Sequence, residues 1–298
     1  MKKILNFGSI NVDEVFSVSH FVSAGETLAA KKSEKFPGGK GLNQSIALSR
    51  AGAKVFHAGK ISPDEDWLYE LLLESGVDLS FLSRNGSRAG KAIIQLNPLG
   101  ENSIIVDHGS NFEITKEQID ETLSDFQKGD LLLVQNEISN LPYIVSKASK
   151  IGMEIALNPS PIDEVIFSLD LNTISYLILN EIEGEALTKE KDPQKICNLL
   201  LERYPNLKIV LTLGGDGAIY KDKDFSCFQS SFDVKPVDTT GAGDTFTGYF
   251  LAQISMGQDV KSSLKLASKA AGIAVTKKGA ASSIPKIEDV LSLDIKEK

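Results

Sequence analysis

Between Asp238 and Asp244 the chain reads Asp-Thr-Thr-Gly-Ala-Gly-Asp, and Phe246, Phe250 and Ile254 follow at four-residue spacing. That spacing puts the three apolar side chains on one helical face, so a tight Gly-rich turn leads into a helix. Such a turn exposes backbone N–H groups beside the positive end of the helix dipole, which makes an anion site. Asp244 stands at its mouth. A carboxylate is a poor partner for phosphate, but it is suited to taking a proton from a group that attacks phosphate. The same dipole favours any acid in a first helical turn, and this segment alone leaves both readings open.

A second Gly-rich stretch, Phe-Pro-Gly-Gly-Lys-Gly-Leu-Asn-Gln over residues 36–44, also opens a helix, with Leu42, Ile46 and Ala47 at helical spacing and Gly52 as its C′ stop. It lacks the GxxxxGK[ST] spacing of a P-loop. Gly38, Gly39 and Gly41 permit close backbone approach to a ligand, while Lys40 and Asn43 supply donors.

The elements that must position these turns alternate. Short apolar segments at 4–7, 55–58, 131–134, 155–157, 176–179 and 209–213 read as strands, and helices are expected at 65–75, 115 onward, 141–150 and 193–203. Thr115 and Gln118 have capping-box spacing. Strands that alternate with amphipathic helices indicate a parallel sheet covered on both faces. Polar residues follow nearly every strand: Asn11 and Asp13; Gln135, Asn136 and Glu137; Asn158; Asn180 and Glu183; Gly214-Gly215-Asp216-Gly217. Strand ends of this kind lie along one sheet edge and face one cleft. Residues 15–18 and 27–35, and a hairpin of 91–96 with 102–106 around Asn97-Pro98-Leu99-Gly100, read as a small half-exposed sheet. The expectation is one domain over 1–298, with lid strands from about 12–36 and 90–107.

The 298 residues are 42% apolar and 24% charged, with a formal net charge of −8. That balance argues against a surface for nucleic acid or anionic membrane, and it leaves small anionic substrates open. Cys197 and Cys227 are too few for a disulfide framework and suit a reducing cytoplasm. His20, His57 and His108 show no zinc-ligand spacing. The N-terminal apolar run is broken at Asn6 and Gly8 and reads as a strand, not a signal peptide, and no run is long enough to span a bilayer.

Four motifs together resemble the ribokinase-like sugar kinases, the PfkB carbohydrate kinase family: Gly8-Ser-Ile-Asn-Val-Asp13, Gly38-Gly-Lys-Gly-Leu-Asn-Gln44, Asn180-Glu-Ile-Glu183 and Asp238-Thr-Thr-Gly-Ala-Gly-Asp244. The resemblance covers nearly the whole chain. It implies an α/β, Rossmann-type three-layer sandwich with a central, mostly parallel sheet and a small β-sheet lid. It also implies phosphoryl transfer from ATP to a sugar's terminal primary hydroxyl, D-ribose first. Another pentose, a ketohexose or a nucleoside is the alternative acceptor, and a non-catalytic sugar sensor is a remoter one. Asp244 matches the family's catalytic base, and Gly241, Ala242 and Gly243 match its anion hole. Asn11, Asp13, Gly39, Lys40, Asn43 and Glu137 match the positions that hold sugar hydroxyls. Asn180, Thr212, Gly214, Gly215, Asp216, Gly217, Gly243 and Ser268 match the ATP site, with Ser268 where a His or Asn is frequent. Glu183 matches the residue that organises Mg2+ through water. Asp238, Thr240, Ala274, Lys277, Gly279 and Ser283 match the ligands of a monovalent cation, usually K+. A homodimer formed through the lid is expected on the same basis. A dinucleotide-binding enzyme is disfavoured, because no GxGxxG follows the first strand.

Overall fold

The computed structural model describes residues 2–298. In chain order its main elements are β1 (Ile4–Phe7), β2 (Asn11–Ser17), β3 (Lys32–Gly38), α1 (Lys40–Arg50), β4 (Val55–Lys60), α2 (Asp66–Glu74), β5 (Asp78–Ser83), β6 (Gly90–Leu96), β7 (Asn102–Asp107), α3 (Lys116–Leu123), β8 (Leu131–Gln135), α4 (Leu141–Ile151) and β9 (Glu154–Asn158). They continue with α5 (Glu164–Ser168), β10 (Tyr176–Asn180), α6 (Glu181–Thr188), α7 (Pro193–Arg203), β11 (Lys208–Thr212), β12 (Gly217–Lys221), β13 (Ser226–Ser230), α8 (Ala242–Ser255), α9 (Val260–Ala274) and α10 (Ile287–Ser292).

The large sheet has the order β13-β12-β11-β10-β9-β8-β1-β4-β5, with all strands parallel except β12, which runs antiparallel to both β11 and β13. Its central strands are buried on both faces, which is why they read as unbroken apolar runs. Alternate residues divide between two cores. Ile4, Leu131 and Leu133 join Leu42, Leu68, Phe250 and Leu264 on one face, whereas Leu5, Leu132 and Val134 join Ile119, Ile144 and Ile196 on the other. The result is three layers.

From β1 the chain runs outward through β4 to β5, then returns to the other flank of β1 and builds β8 to β11. The helix after β1 packs on one face and the helix after β8 on the opposite face. The crevice between these two strand ends is the switch point at which open α/β sheets bind ligands.

The smaller sheet, β3-β2-β6-β7, stands over that edge. Its expected strands at 15–18 and 27–35 prove displaced: β2 starts already at Asn11, and β3 runs through Pro37 to Gly38. β3 pairs only with β2, and an edge strand tolerates a proline that cannot donate. Asn11 and Asp13 therefore lie on one face of a strand, not in a loop. β5, β12 and β13 lie outside the expected strands. No strand runs into the Gly-rich turn at 238–244: the N–H groups of Val237 and Asp238 both turn to the carbonyl of Val275. Thr115 caps α3 through the Gln118 N–H, but the Gln118 side chain reaches Gly59 O instead of closing the box. The complete capping box belongs to Asn180 and Glu183.

Candidate active site

Two close backbone approaches assemble the site. A Cβ at Gly41 would lie 2.3 Å from Ser9 N, and one at Gly248 would lie 2.4 Å from Ala47 Cβ. Glycine at these places lets the start of α1 settle on the end of β1 and lets α8 settle on α1. Asp244, in the first turn of α8, consequently meets α1. Asn43 Nδ2 donates to its Oδ2 at 3.0 Å and Gln44 Nε2 to its Oδ1 at 2.8 Å. Burial holds the Asp244 carboxyl above the usual carboxylate range, against the Lys40 charge and these two amides. At the same helix entrance Gly241 adopts a φ of 74°. The Thr245 N–H bonds back to Gly241 O, and the amides of Gly243 and Asp244, immediately before it, have no carbonyl to reach within the helix.

A second cluster spans the switch point. Glu137, just past β8, accepts from Ser9 Oγ at 2.5 Å and from Lys40 N at 3.0 Å, and its other oxygen takes Lys40 Nζ at 2.7 Å. Burial favours the neutral form of each partner. The Lys40 charge and hydrogen bonds nevertheless keep Glu137 below its ordinary value, and the Glu137 and Asp244 charges keep Lys40 above its own. The ion pair is intact. Asp13 opposite is pushed up to about 7, by burial first and by the Glu137 charge second.

Around these groups lies a cavity of about 380 Å³, with Asn11, Asp13, Gly39, Lys40, Asn43, Glu137 and Asp244 on its polar side. Ala92 and Ile94 of β6 and Ile104 and Val106 of β7 roof it. A second cavity, about 550 Å³, carries Thr212, Gly214, Gly215, Gly217 and Ser268, between apolar walls that include Val234, Pro236, Phe246 and Ala271. The two cavities share Asn180, Thr212 and Gly243. Gly241 borders the first and Ala242 the second, so the Gly-rich turn forms the threshold between them. Ser268 Oγ is buried there without a partner.

Not every expected residue converges. Asp216 does not line the second cavity; its carbonyl pairs with Ser231 N. Glu183 lines the first cavity, with one oxygen held by Asn180 N at 2.9 Å. Asp238 joins two loops: Oδ1 accepts from Thr240 N and Oγ1, and Oδ2 accepts from Gly279 N at 2.9 Å. The Ala274 carbonyl accepts from Lys277 N, and the Ser283 hydroxyl donates to Ala280 O, so these residues are engaged within their own loop. Among the described residues, no group of three or more His, Cys, Asp or Glu is placed to hold a metal ion.

Other residues at the site carry no role in the sequence reading. Gln44 also donates to Asn158 Oδ1 at 3.1 Å, and Gln135 Nε2 bridges Gln44 Oε1 at 2.7 Å and Asn6 Oδ1 at 2.9 Å. Ser9 and Asn111 stand against the cavity-lining residues, and Lys298 borders the second cavity with Nζ on Gly215 O. Gln44 closes the second Gly-rich motif, and Gln135 and Asn158 are among the strand-end residues expected to face one cleft; their contacts with one another, like those of Asn111 and Lys298, join residues more than 80 positions apart, where local spacing carries no signal.

Residues 1–287 match the family model described as pfkB family carbohydrate kinase. The chain is 32% identical over 302 residues to a ribokinase of Haemophilus influenzae, covering 98% of each chain. It superposes on the ribokinase structure of Thermotoga maritima with a TM-score of 0.86 at 32% identity, covering 98% of this chain and 99% of that one. Against Arabidopsis thaliana ribokinase complexed with ribose and ATP, the TM-score is 0.83 at 27% identity over 97% of each chain. The chain belongs to the pfkB family of carbohydrate kinases.

Proposed function

We propose that this protein transfers the γ-phosphoryl group of ATP to the terminal primary hydroxyl of a free sugar, D-ribose first among them. The carrying observation is that two cavities meet at Asn180, Thr212 and Gly243, with a half-buried carboxylate, Asp244, on one side of the threshold. The smaller cavity takes the acceptor and the larger the nucleotide. Relatives named ribokinase, one of them complexed with ribose and ATP, support the choice of sugar. So does the electrostatics: among the described residues Lys40 is the one cation on the acceptor cavity's wall, and Glu137 already holds it, so none of them offers a free positive charge to a sugar phosphate.

In this reading Asn11, Asp13, Gly39, Lys40, Asn43 and Glu137 fix the sugar hydroxyls. The terminal hydroxyl lies against Asp244, which takes its proton as the oxygen attacks the γ-phosphorus. In the turn Gly241-Ala242-Gly243 the Ala242 N–H already donates to Thr239 O, so the N–H groups of Gly241 and Gly243 are the ones that face the charge gathering on the transferring group, with Ala242 shaping the turn. Gly214, Gly215, Gly217, Thr212 and Ser268 line the nucleotide's seat, and Asp216 contributes through the turn it closes. Mg2+ suits Glu183 through water, because a single carboxylate with one oxygen already engaged cannot cage a hard ion; when bound, it neutralises phosphate charge. The oxygen-rich pair of loops joined by Asp238 suits a monovalent cation such as K+, with Thr240, Ala274, Lys277, Gly279 and Ser283 around it.

Residues 1–298 act as one kinase unit, and the small sheet serves as a lid that excludes water from the transfer. Its outward residues Ile93 and Ile105 are exposed, and Ile105 is 61% accessible, which favours a second copy of the lid as cover in a homodimer. Free cysteines at 197 and 227 fit a cytoplasmic setting. Among the described residues no helix is long and apolar enough to cross a membrane.

The test is ADP release against ribose, other pentoses, ketohexoses and nucleosides, with and without K+. Highest kcat/KM on ribose is expected. Silence on every sugar while ATP still binds would sink the enzymatic reading and favour a sugar sensor.

A further inference from the structure

Asn11, the first residue of β2, lines the acceptor cavity, but its contribution depends on which end of the amide faces in: the carbonyl accepts and the amino group donates. Asn111 decides the matter. It lies in the turn Gly109–Phe112 after β7, is 1% exposed, and does not line the cavity. Its Oδ1 accepts from Ile10 N at 3.0 Å, while its Nδ2 donates to Ile10 O at 3.2 Å and to Asn11 Oδ1 at 2.7 Å. A backbone N–H can only donate, so the end of Asn111 that meets Ile10 N must be oxygen. The other end is then the amino group, and the Asn11 atom facing it must be oxygen. The Asn11 amino group is left for the cavity.

The packing leaves this pair no alternative arrangement. A Cβ on Gly90 would stand 2.2 Å from Asn111 Nδ2 and 2.3 Å from Asn11 Oδ1, so β6 backbone closes over the contact. The Asn111 carbonyl in turn accepts from Ser139 N at 3.0 Å, two residues beyond Glu137. The turn that leaves the small sheet is thus tied to both flanks of the sugar cavity.

We infer that Asn111 is a specificity-determining positioning residue: it locks Asn11 with its amino group toward the acceptor, so that one sugar hydroxyl meets a hydrogen-bond donor. This rests on the sugar-kinase reading. Asp13, two residues along the same face of β2, is an acceptor when ionised. A hydroxyl between the two takes a hydrogen bond from Asn11 and gives one to Asp13, which a hydrogen or an ether oxygen at that position cannot do.

The test compares ribose with its monodeoxy analogues in steady-state kinetics. The unaltered protein should lose about tenfold or more in kcat/KM on the analogue that lacks the hydroxyl served by Asn11, the scale of one hydrogen bond left unmade. Asn11→Ala identifies that hydroxyl, because discrimination disappears there and nowhere else. Asn111→Ser should erase discrimination at the same hydroxyl, with KM for ribose raised about tenfold, although Asn111 touches no ligand. Its ADP affinity by calorimetry should stay within about twofold of the unaltered protein's, a difference small beside one hydrogen bond. Added to Asn11→Ala, it should change nothing further. Asn11→Asp, which keeps the bond to Asn111 and presents an acceptor to the cavity, should reproduce the rise in KM without disturbing the buried turn.

Discrimination left intact in Asn111→Ser overturns the inference. So does an equal loss on every analogue and on ADP, which is the mark of a purely structural role. Turnover of no sugar by the unaltered protein overturns the functional reading itself and takes the inference with it.

Discussion

Gln44 Nε2 and Asp244 Oδ1 are 2.8 Å apart, a hydrogen bond between two helices joined across 200 positions of chain. With Asn43 on the second oxygen at 3.0 Å, consecutive side chains of α1 hold both ends of one carboxylate on α8. The orientation of that carboxylate is fixed before any ligand arrives. Two amide donors stabilise its charged form, while burial and Glu137 oppose it, and the balance leaves the carboxyl above its ordinary range.

Asp244→Asn keeps the shape and removes the proton acceptor. It should lower kcat by about a hundredfold to ten-thousandfold while ADP affinity, measured by calorimetry, is retained. Turnover near that of the unaltered protein would exclude Asp244 as the base.

Gln44→Met removes a donor to the charged form without changing length much. The sign follows directly: the ionised form loses support, Asp244 holds its proton to higher pH, and the acid limb of kcat shifts upward. Lys40, Glu137 and Asp13, the charged and titratable groups facing Asp244, are unchanged. Activity should therefore fall by about tenfold on the acid limb and much less on the alkaline plateau. An equal loss at all pH values would mean that Gln44 only fills space.

What could be read from the chain, and what could not, divides along physical lines. Asp244, Lys40 and the Gly-rich turns were legible because a strand end, a glycine and a helix start are neighbours in sequence. The alternation of β8, β9, β10 and β11 with helices was legible for the same reason. β3 was misplaced because Pro37 looks like a break until one knows that the strand is an edge. β12 starts at Gly217, in a glycine turn that hides a strand beginning. The polar chain Gln44–Gln135–Asn6 and the Asn111 contact were invisible, since each joins residues that only the folded topology brings together. Asp216 matched a motif by position, yet it does not line the cavity itself; its carbonyl holds the N–H of Ser231, which does.

Asp13 links pH to stability. Its folded value, about 7, is above the ordinary 3.8, so folding favours its protonated form. The stabilisation is fully present below 3.8 and is lost as pH rises through about 7. Asp13→Asn should therefore raise the Tm of the ligand-free protein at pH 8 by a few degrees and leave it unchanged at pH 4, while KM for the sugar increases. A Tm gain of the same size at both pH values would show that charge burial at Asp13 is not the cause.

Lys40 and Glu137 form an intact pair whose members protect each other. Lys40→Met leaves the Glu137 carboxylate on the cavity wall with only Ser9 Oγ and one backbone N–H, at a cost of roughly 1–3 kcal/mol. Adding Glu137→Gln should recover most of that stability in denaturant titration, because the stranded charge is gone. It should recover none of the sugar affinity. Recovery of both would place the pair outside the binding surface.

Gly241 and Gly243 separate fold from chemistry within three residues. Gly241 has a φ of 74°, and a Cβ there would lie 2.9 Å from Ala280 Cα, so Gly241→Ala strains backbone and packing together. At Gly243 an added Cβ meets nothing within 4 Å and the residue is helical, so Gly243→Ala should leave Tm within a degree or two, the scale of an ordinary small substitution. Gly243, however, borders both cavities. A methyl group there enters the threshold that the phosphoryl group must cross, and displacing reacting atoms by about 1 Å can cost a hundredfold. Gly243→Ala should thus be folded, able to bind ribose and ADP separately, and slow in kcat by about ten- to a hundredfold. Unchanged kcat would mean that transfer takes another path between the cavities.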